Sequence, residues 1–228
     1  MIGILAGMGP RSTAPFIDAV IDQCQSLYDA KLDEDFPRIM ILSLPTPFYI
    51  DRPIDHNLMS RTIKEGLLQL QKAGVDFIAM PCNSAHLYYE ALSHSINVPL
   101  LNIVDETLSH LSGAGRATIL GTQGTFDSKL YQAGFSKAGV DFYFNEAWQP
   151  RIDNIISLIK SGSIGTNAAN EWNKLLVDLR EEGVTEAVIA CTDINAVLSY
   201  DETSINLVDS TKALAEATVR KYLKLNSR

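Results

Sequence analysis

Apolar residues along this chain gather in short unbroken runs, separated by longer stretches in which they recur at helical spacing. The runs Ile2–Ala6, Phe77–Met80 and Ala187–Ala190 read as buried strands, Arg38–Leu44 and Val98–Ile103 as two further strands, and Arg116–Thr125 resembles the opening strand with its glycine turn. Between the first two, Phe16, Ile17, Val20, Ile21, Cys24, Leu27 and Tyr28 mark one face of a helix. A second helix is expected from about Asn57 to Ala73, closed by Gly74, and a third from the Cys82 corner to about Ser93. Another is expected to begin at Asp105 and run to Leu111. Strands alternating with helices of this length predict an α/β fold with parallel sheets flanked by helices.

The second half of the pattern replays the first. Gly121 answers Gly7, Cys191 answers Cys82 and Asp209 answers Asp105, at offsets of 114, 109 and 104 residues. Three landmarks at slowly drifting offsets predict two pseudo-symmetric lobes. The first is expected over residues 1–101, with a C-terminal helix, 209–228, returning to it; the second spans 102–208. In open parallel sheets ligands bind beyond the carboxyl ends of the strands, so the expected site is a cleft between the lobes.

Composition narrows the chemistry. The formal net charge is −8 and no run of Lys or Arg is present, which argues against nucleic acid as a partner. No apolar stretch approaches the ~18 residues that span a bilayer, and MIGILAGMGP lacks a basic n-region, so the expected setting is the cytoplasm and not a membrane. Three cysteines, widely spaced, fit neither a disulfide framework nor a four-ligand zinc site, and no metal is expected.

Two of those cysteines stand where chemistry is expected. Cys82 follows a buried strand and Pro81, and opens the run Asn83-Ser84 into a helix; Cys191 follows Ala187–Ala190 and precedes Thr192-Asp193. Unpaired N–H groups at a helix start favour a thiolate, so either thiol is suited to proton transfer. If one sulfur takes a proton from one face of a carbon and the other returns one to the opposite face, the stereocentre inverts. That geometry requires the sulfurs roughly 7 Å apart with substrate between them. Asn83, Ser84, Thr192 and the turn from Thr122 to Thr125 supply polar groups to hold a carboxylate and stabilise the carbanion. The turn Gly7-Met8-Gly9-Pro10 matches no phosphate loop and reads as a close-approach turn beside substrate, with Met8 among the lining residues. Cys24 lies on an apolar helix face and reads as core. His86, four residues after Cys82, reads as helix packing or hydrogen bonding, and His56, His94 and His110 as surface residues.

Gly7-Met8-Gly9-Pro10, Pro81-Cys82-Asn83-Ser84-Ala85-His86 and Ala190-Cys191-Thr192-Asp193 together resemble the aspartate/glutamate racemase superfamily, nearest its cofactor-independent aspartate racemase branch. The resemblance spans essentially the whole chain. It implies a two-base mechanism through Cys82 and Cys191 without pyridoxal phosphate or any other cofactor, and commonly a homodimer. It also implies that Asn83 and Ser84 hold the α-carboxylate and amino end, and that Arg52 and Lys160 hold the distal carboxylate of an acidic substrate. Read without it, Arg52 is equally an exposed cation beside Asp51 and Asp55, and Lys160 a helix C-terminal lysine placed for the dipole. Asp193 replaces the family's usual Glu and Ser84 its usual Thr, differences that bear on substrate choice.

The expected activity is interconversion of L- and D-aspartate, with glutamate as a second substrate. The alternatives are a broad-specificity racemase, a related dicarboxylate isomerase or decarboxylase, and a two-lobed protein that binds an amino acid without turning it over. A thiol redox role is disfavoured because no Cys-x-x-Cys is present.

Overall fold

The computed structural model describes residues 1–48, 53–113, 115–162, 166–198 and 204–226. The chain divides into two compact units, one formed by residues 1–103 and 214–228, the other by 104–213.

In the first unit β1 (Ile2–Ala6) leads into α1 (Thr13–Tyr28), β2 (Ile39–Ser43), α2 (His56–Lys72), β3 (Phe77–Ala79) and α3 (Tyr89–Ser93). The strands pair in parallel in the order β2-β1-β3. All five residues of β1 are buried, as a central parallel strand covered on both faces requires. Beyond β3, Leu100 makes a single parallel bridge to Ile78. The stretch Val98–Ile103 is therefore one bridge and not a full fourth strand: Pro99 has no N–H to donate, and α4 (Ile103–Leu108) already begins where the strand was expected to end. Met59, Ile63, Leu67 and Leu70 of α2 pack with Leu5, Ile78 and Met80 in one apolar cluster. At Gly66 the helix lies so near the sheet that a Cβ would come within 2.8 Å of Leu5. Burying Phe77 and Ile78 completely contributes roughly 1.5–3 kcal/mol each.

In the second unit β4 (Arg116–Gly121), α5 (Gln123–Asp127), α6 (Leu130–Ala138), β5 (Asp141–Phe142), α7 (Gln149–Lys160), α8 (Thr166–Glu181), β6 (Val184–Ala190) and β7 (Asn206–Asp209) follow in turn. Its sheet is again parallel, in the order β5-β4-β6-β7. Each unit thus sets its first strand at the centre, its second on one side and its third on the other. The core between α7, α8 and β6 holds Trp148, Ile152, Ile159, Trp172, Leu175 and Ile189. The last helix, α9 (Ser210–Asn226), contains the boundary at which the chain passes back to the first unit. No helix among the described residues is long and apolar enough to cross a membrane.

Candidate functional site

Cys82 and Cys191 occupy matching places in their two units. Each follows the carboxyl end of the third strand of its sheet, β3 and β6 respectively, and each introduces a short 3₁₀ helix, Ser84–Tyr88 in the first unit and Thr192–Val197 in the second. The helix expected from the Cys82 corner to Ser93 is present, but it starts as 3₁₀ and becomes α only at Tyr89. In an α-helix the Cys82 carbonyl would accept the backbone N–H of His86; here that N–H goes to Asn83 O at 3.0 Å, and the Cys82 carbonyl accepts Nδ1–H of the His86 ring at 2.8 Å. At Cys191 the carbonyl accepts the backbone N–H of Ile194 at 3.1 Å. All three cysteines are free thiols, with Cys24 and Cys191 buried and Cys82 half-buried.

Around Cys82 the first unit builds a tight corner. Met8 packs against the same apolar cluster as Cys82, beside β1's end. Gly7 has φ +90°, and a Cβ there would lie 2.6 Å from Leu44 N, so the turn accepts only glycine. The Gly7 N–H donates to Thr13 Oγ1 at 3.2 Å and Ser12 Oγ donates to Gly9 O at 2.8 Å, fixing the turn. Asn83 is buried and Ser84 half-buried. Tyr88 also belongs to this corner. Its hydroxyl lies 2.7 Å from His56 Nδ1, and burial together with the nearby Cys82 sulfur raises its pKa. His56 is exposed, as its polar neighbours predict; its contact with Tyr88 joins the start of α2 to the Cys82 corner, which nothing in their spacing shows.

The second unit arranges its groups differently. Thr122 caps α5 by accepting the Thr125 N–H at 3.2 Å, and their hydroxyls lie 3.1 Å apart. Thr125 is buried, and the buried Gln149 side chain donates to Gly121 O at 3.1 Å, holding the end of β4. After Cys191, Thr192 and Asp193 are both buried. Lys160, the last residue of α7, reaches Asp193: Nζ lies 2.8 Å from Oδ2, with the Asp193 side chain 4% and the Lys160 side chain 29% exposed. The cation expected to meet a substrate carboxylate therefore carries a carboxylate partner from this chain. Arg52 lies outside the described residues.

Comparison with known proteins agrees with this arrangement. The model of the family described as Asp/Glu/Hydantoin racemase matches residues 5–218. The broad specificity amino-acid racemase RacX of Bacillus subtilis (strain 168) is 45% identical over 228 residues, covering 100% of both chains. A glutamate racemase of Persephonella marina is 28% identical over 165 residues, 69% of this chain and 62% of its own. Among solved structures, the Picrophilus torridus aspartate racemase superposes with a TM-score of 0.80 at 25% identity, covering 96% of this chain and 93% of that one. With two parallel-sheet units, a free cysteine after the third strand of each, and a family match over nearly the whole length, the chain belongs to the Asp/Glu/hydantoin racemase family and is an enzyme of the racemase class.

Proposed function

We propose that this enzyme racemises amino acids without a cofactor, with Cys82 and Cys191 as its two acid–base groups and with a substrate range broader than aspartate. The observation that carries the reading is the repeated placement of one free cysteine after the third strand of each unit, each opening a 3₁₀ helix. Inversion by the two-base route needs one proton-transfer group for each face of the reacting carbon, and two free cysteines in equivalent places of the two units can supply them.

In this mechanism one cysteine is a thiolate and the other a thiol. The thiolate takes the α-proton, the C–H electron pair passes onto the carbon and its carboxylate, and the thiol delivers its proton to the opposite face. The enzyme is left with the two protonation states exchanged, and the opposite enantiomer restores them. For this, each sulfur must come within about 3.5 Å of the α-carbon from opposite sides. Asn83, Ser84 and Thr192, which follow the two cysteines in the chain, and Thr122 and Thr125 after β4, are the groups assigned to the substrate's polar ends, with Met8 as an apolar wall.

Substrate range follows from charge. A cation at the distal group favours a dicarboxylic substrate. Lys160 is held by Asp193, so an acidic side chain must compete with a carboxylate of the enzyme itself, whereas a neutral one need not. The 45% identity to a broad specificity amino-acid racemase supports the same reading.

The test is proton NMR of the reduced enzyme in D2O with L-aspartate, L-glutamate and neutral L-amino acids, alongside Cys82→Ser and Cys191→Ser. Loss of the α-proton signal, with the D enantiomer growing in chiral chromatography of the same samples, is expected for several of these substrates, and that inversion is expected to be absent in both variants. Turnover that survives either substitution would overturn the two-cysteine mechanism, and turnover of aspartate alone would overturn the broad range.

A further inference from the structure

His86 is 2% exposed and its ring makes contacts that fix its protonation. Nδ1 lies 2.8 Å from the Cys82 carbonyl, which can only accept, so Nδ1 carries the hydrogen. The Ile103 N–H, which can only donate, points at Nε2 from 3.1 Å, so Nε2 presents its lone pair; the Leu101 carbonyl stands further off at 3.4 Å. The ring stacks on Tyr89 with centroids 5.7 Å apart and an interplanar angle of 11°, and the Tyr89 hydroxyl donates to Leu100 O at 3.0 Å. One neutral imidazole thus ties the Cys82 peptide to residues 100–103, where the chain leaves the first unit.

We infer that His86 is the positioning residue of the Cys82 half of the reaction: its Nδ1–H takes the place of the missing α-helical bond to the Cys82 carbonyl and so holds the thiol at a 3₁₀ corner anchored to Ile103. This rests on the proposed role of Cys82. The asymmetry between the two corners supports it. At Cys191 the carbonyl takes its donor from the backbone, the Ile194 N–H. Without His86 the Cys82 carbonyl loses the ring donor, and the natural replacement is the backbone N–H of residue 86, which converts the corner to α-helix and turns the thiol with it. A carbonyl without its donor also sets an unrelieved negative dipole end beside the sulfur, which disfavours the thiolate.

Two substitutions separate the contacts. His86→Asn keeps an N–H near the position of Nδ1, while His86→Gln places an acceptor near the position of Nε2 and offers Cys82 no donor. The readouts are the rate of iodoacetamide alkylation of Cys82 and of Cys191, followed by peptide mass spectrometry over neutral to alkaline pH, and kcat and KM for racemisation. Expected in His86→Gln are Cys82 alkylation slowed about threefold or more at neutral pH, Cys191 alkylation unchanged, and kcat reduced about tenfold at similar KM, the loss of one buried hydrogen bond. His86→Asn should recover most of both effects. Equal behaviour of the two variants, or equal changes at Cys82 and Cys191, would overturn the inference. Unchanged Cys191 reactivity reports that the variants remain folded. A wild-type enzyme with no turnover would sink the racemase reading, and the Cys82 alkylation arm would still decide for or against the positioning role.

Discussion

The Lys160–Asp193 pair gives the sharpest prediction, because its two members differ so much in burial. Asp193 is almost wholly enclosed, while Lys160 keeps nearly a third of its side chain in water, at an N–O distance of 2.8 Å. Removing one partner of a buried pair costs about 3–5 kcal/mol because the other charge is left without compensation. Lys160→Met leaves the enclosed carboxylate alone, so a loss of about 3 kcal/mol is expected. Asp193→Asn leaves a lysine that can turn to solvent, and about 1 kcal/mol is expected. The double variant should cost less than Lys160→Met, giving a coupling of about 2 kcal/mol. Urea unfolding followed by tryptophan fluorescence suits the measurement, since the chain's two tryptophans, Trp148 and Trp172, both lie in the core of the unit that holds the pair. A coupling near zero, or Lys160→Met no worse than Asp193→Asn, would refute the argument from burial. The same variants test specificity. With the Asp193 charge gone in Asp193→Asn, a distal carboxylate no longer competes with it for Lys160, and kcat/KM for aspartate relative to alanine should rise about tenfold. An unchanged ratio would detach Lys160 from substrate selection.

Three further outcomes are expected. Gly121→Ala should destabilise the second unit by about 1–3 kcal/mol and slow turnover, because its Cβ would lie 2.8 Å from the Ala190 carbonyl, one residue before Cys191; unfolding midpoints and steady-state rates check this. Cys24, fully buried and with its thiol pKa raised by desolvation against a lowering contribution from Tyr28, should resist alkylation under native conditions that modify Cys82, as peptide mass spectrometry would show. Glu106 has its pKa raised, chiefly by burial and then by Asp105, with His110 opposing. Its protonated form is favoured by folding, so its contribution is present in acid and lost as pH rises through the raised value; Glu106→Gln should raise the melting temperature at neutral pH and lose that advantage in acid.

Much of the architecture was legible because parallel strands buried on both faces leave unbroken apolar runs, as β1, β3 and β6 do. What escaped were elements whose signal is weak or distributed. Asp141–Phe142 forms only a two-residue strand, too short for any periodicity to appear. Val98–Ile103 has the composition of a strand, yet Pro99 and the early start of α4 reduce it to one bridge. The sequence predicts a helix from the Cys82 corner to Ser93 but not its type, and the 3₁₀ start over Ser84–Tyr88 is recorded only in the hydrogen bonds of the corner. At the candidate site the cysteines were visible through their repeated context. The His56–Tyr88 contact and the Lys160–Asp193 pair were not, since each joins residues distant in sequence on different elements, and no local pattern records such a meeting.

The first unit is discontinuous, closed by residues 214–228 after the chain has traversed the whole of the second. On the ribosome this sets an order of events. The second unit has all of its residues available once Ala213 emerges, while the first must wait for Leu214, Ala215 and Val219, each fully buried in the finished protein, to be delivered last. Until those residues emerge, the nascent chain carries a Cys82 corner on a unit whose core still lacks that helix, and a Cys191 corner on one whose residues are all present. The two halves of the proposed machinery are therefore born at different times.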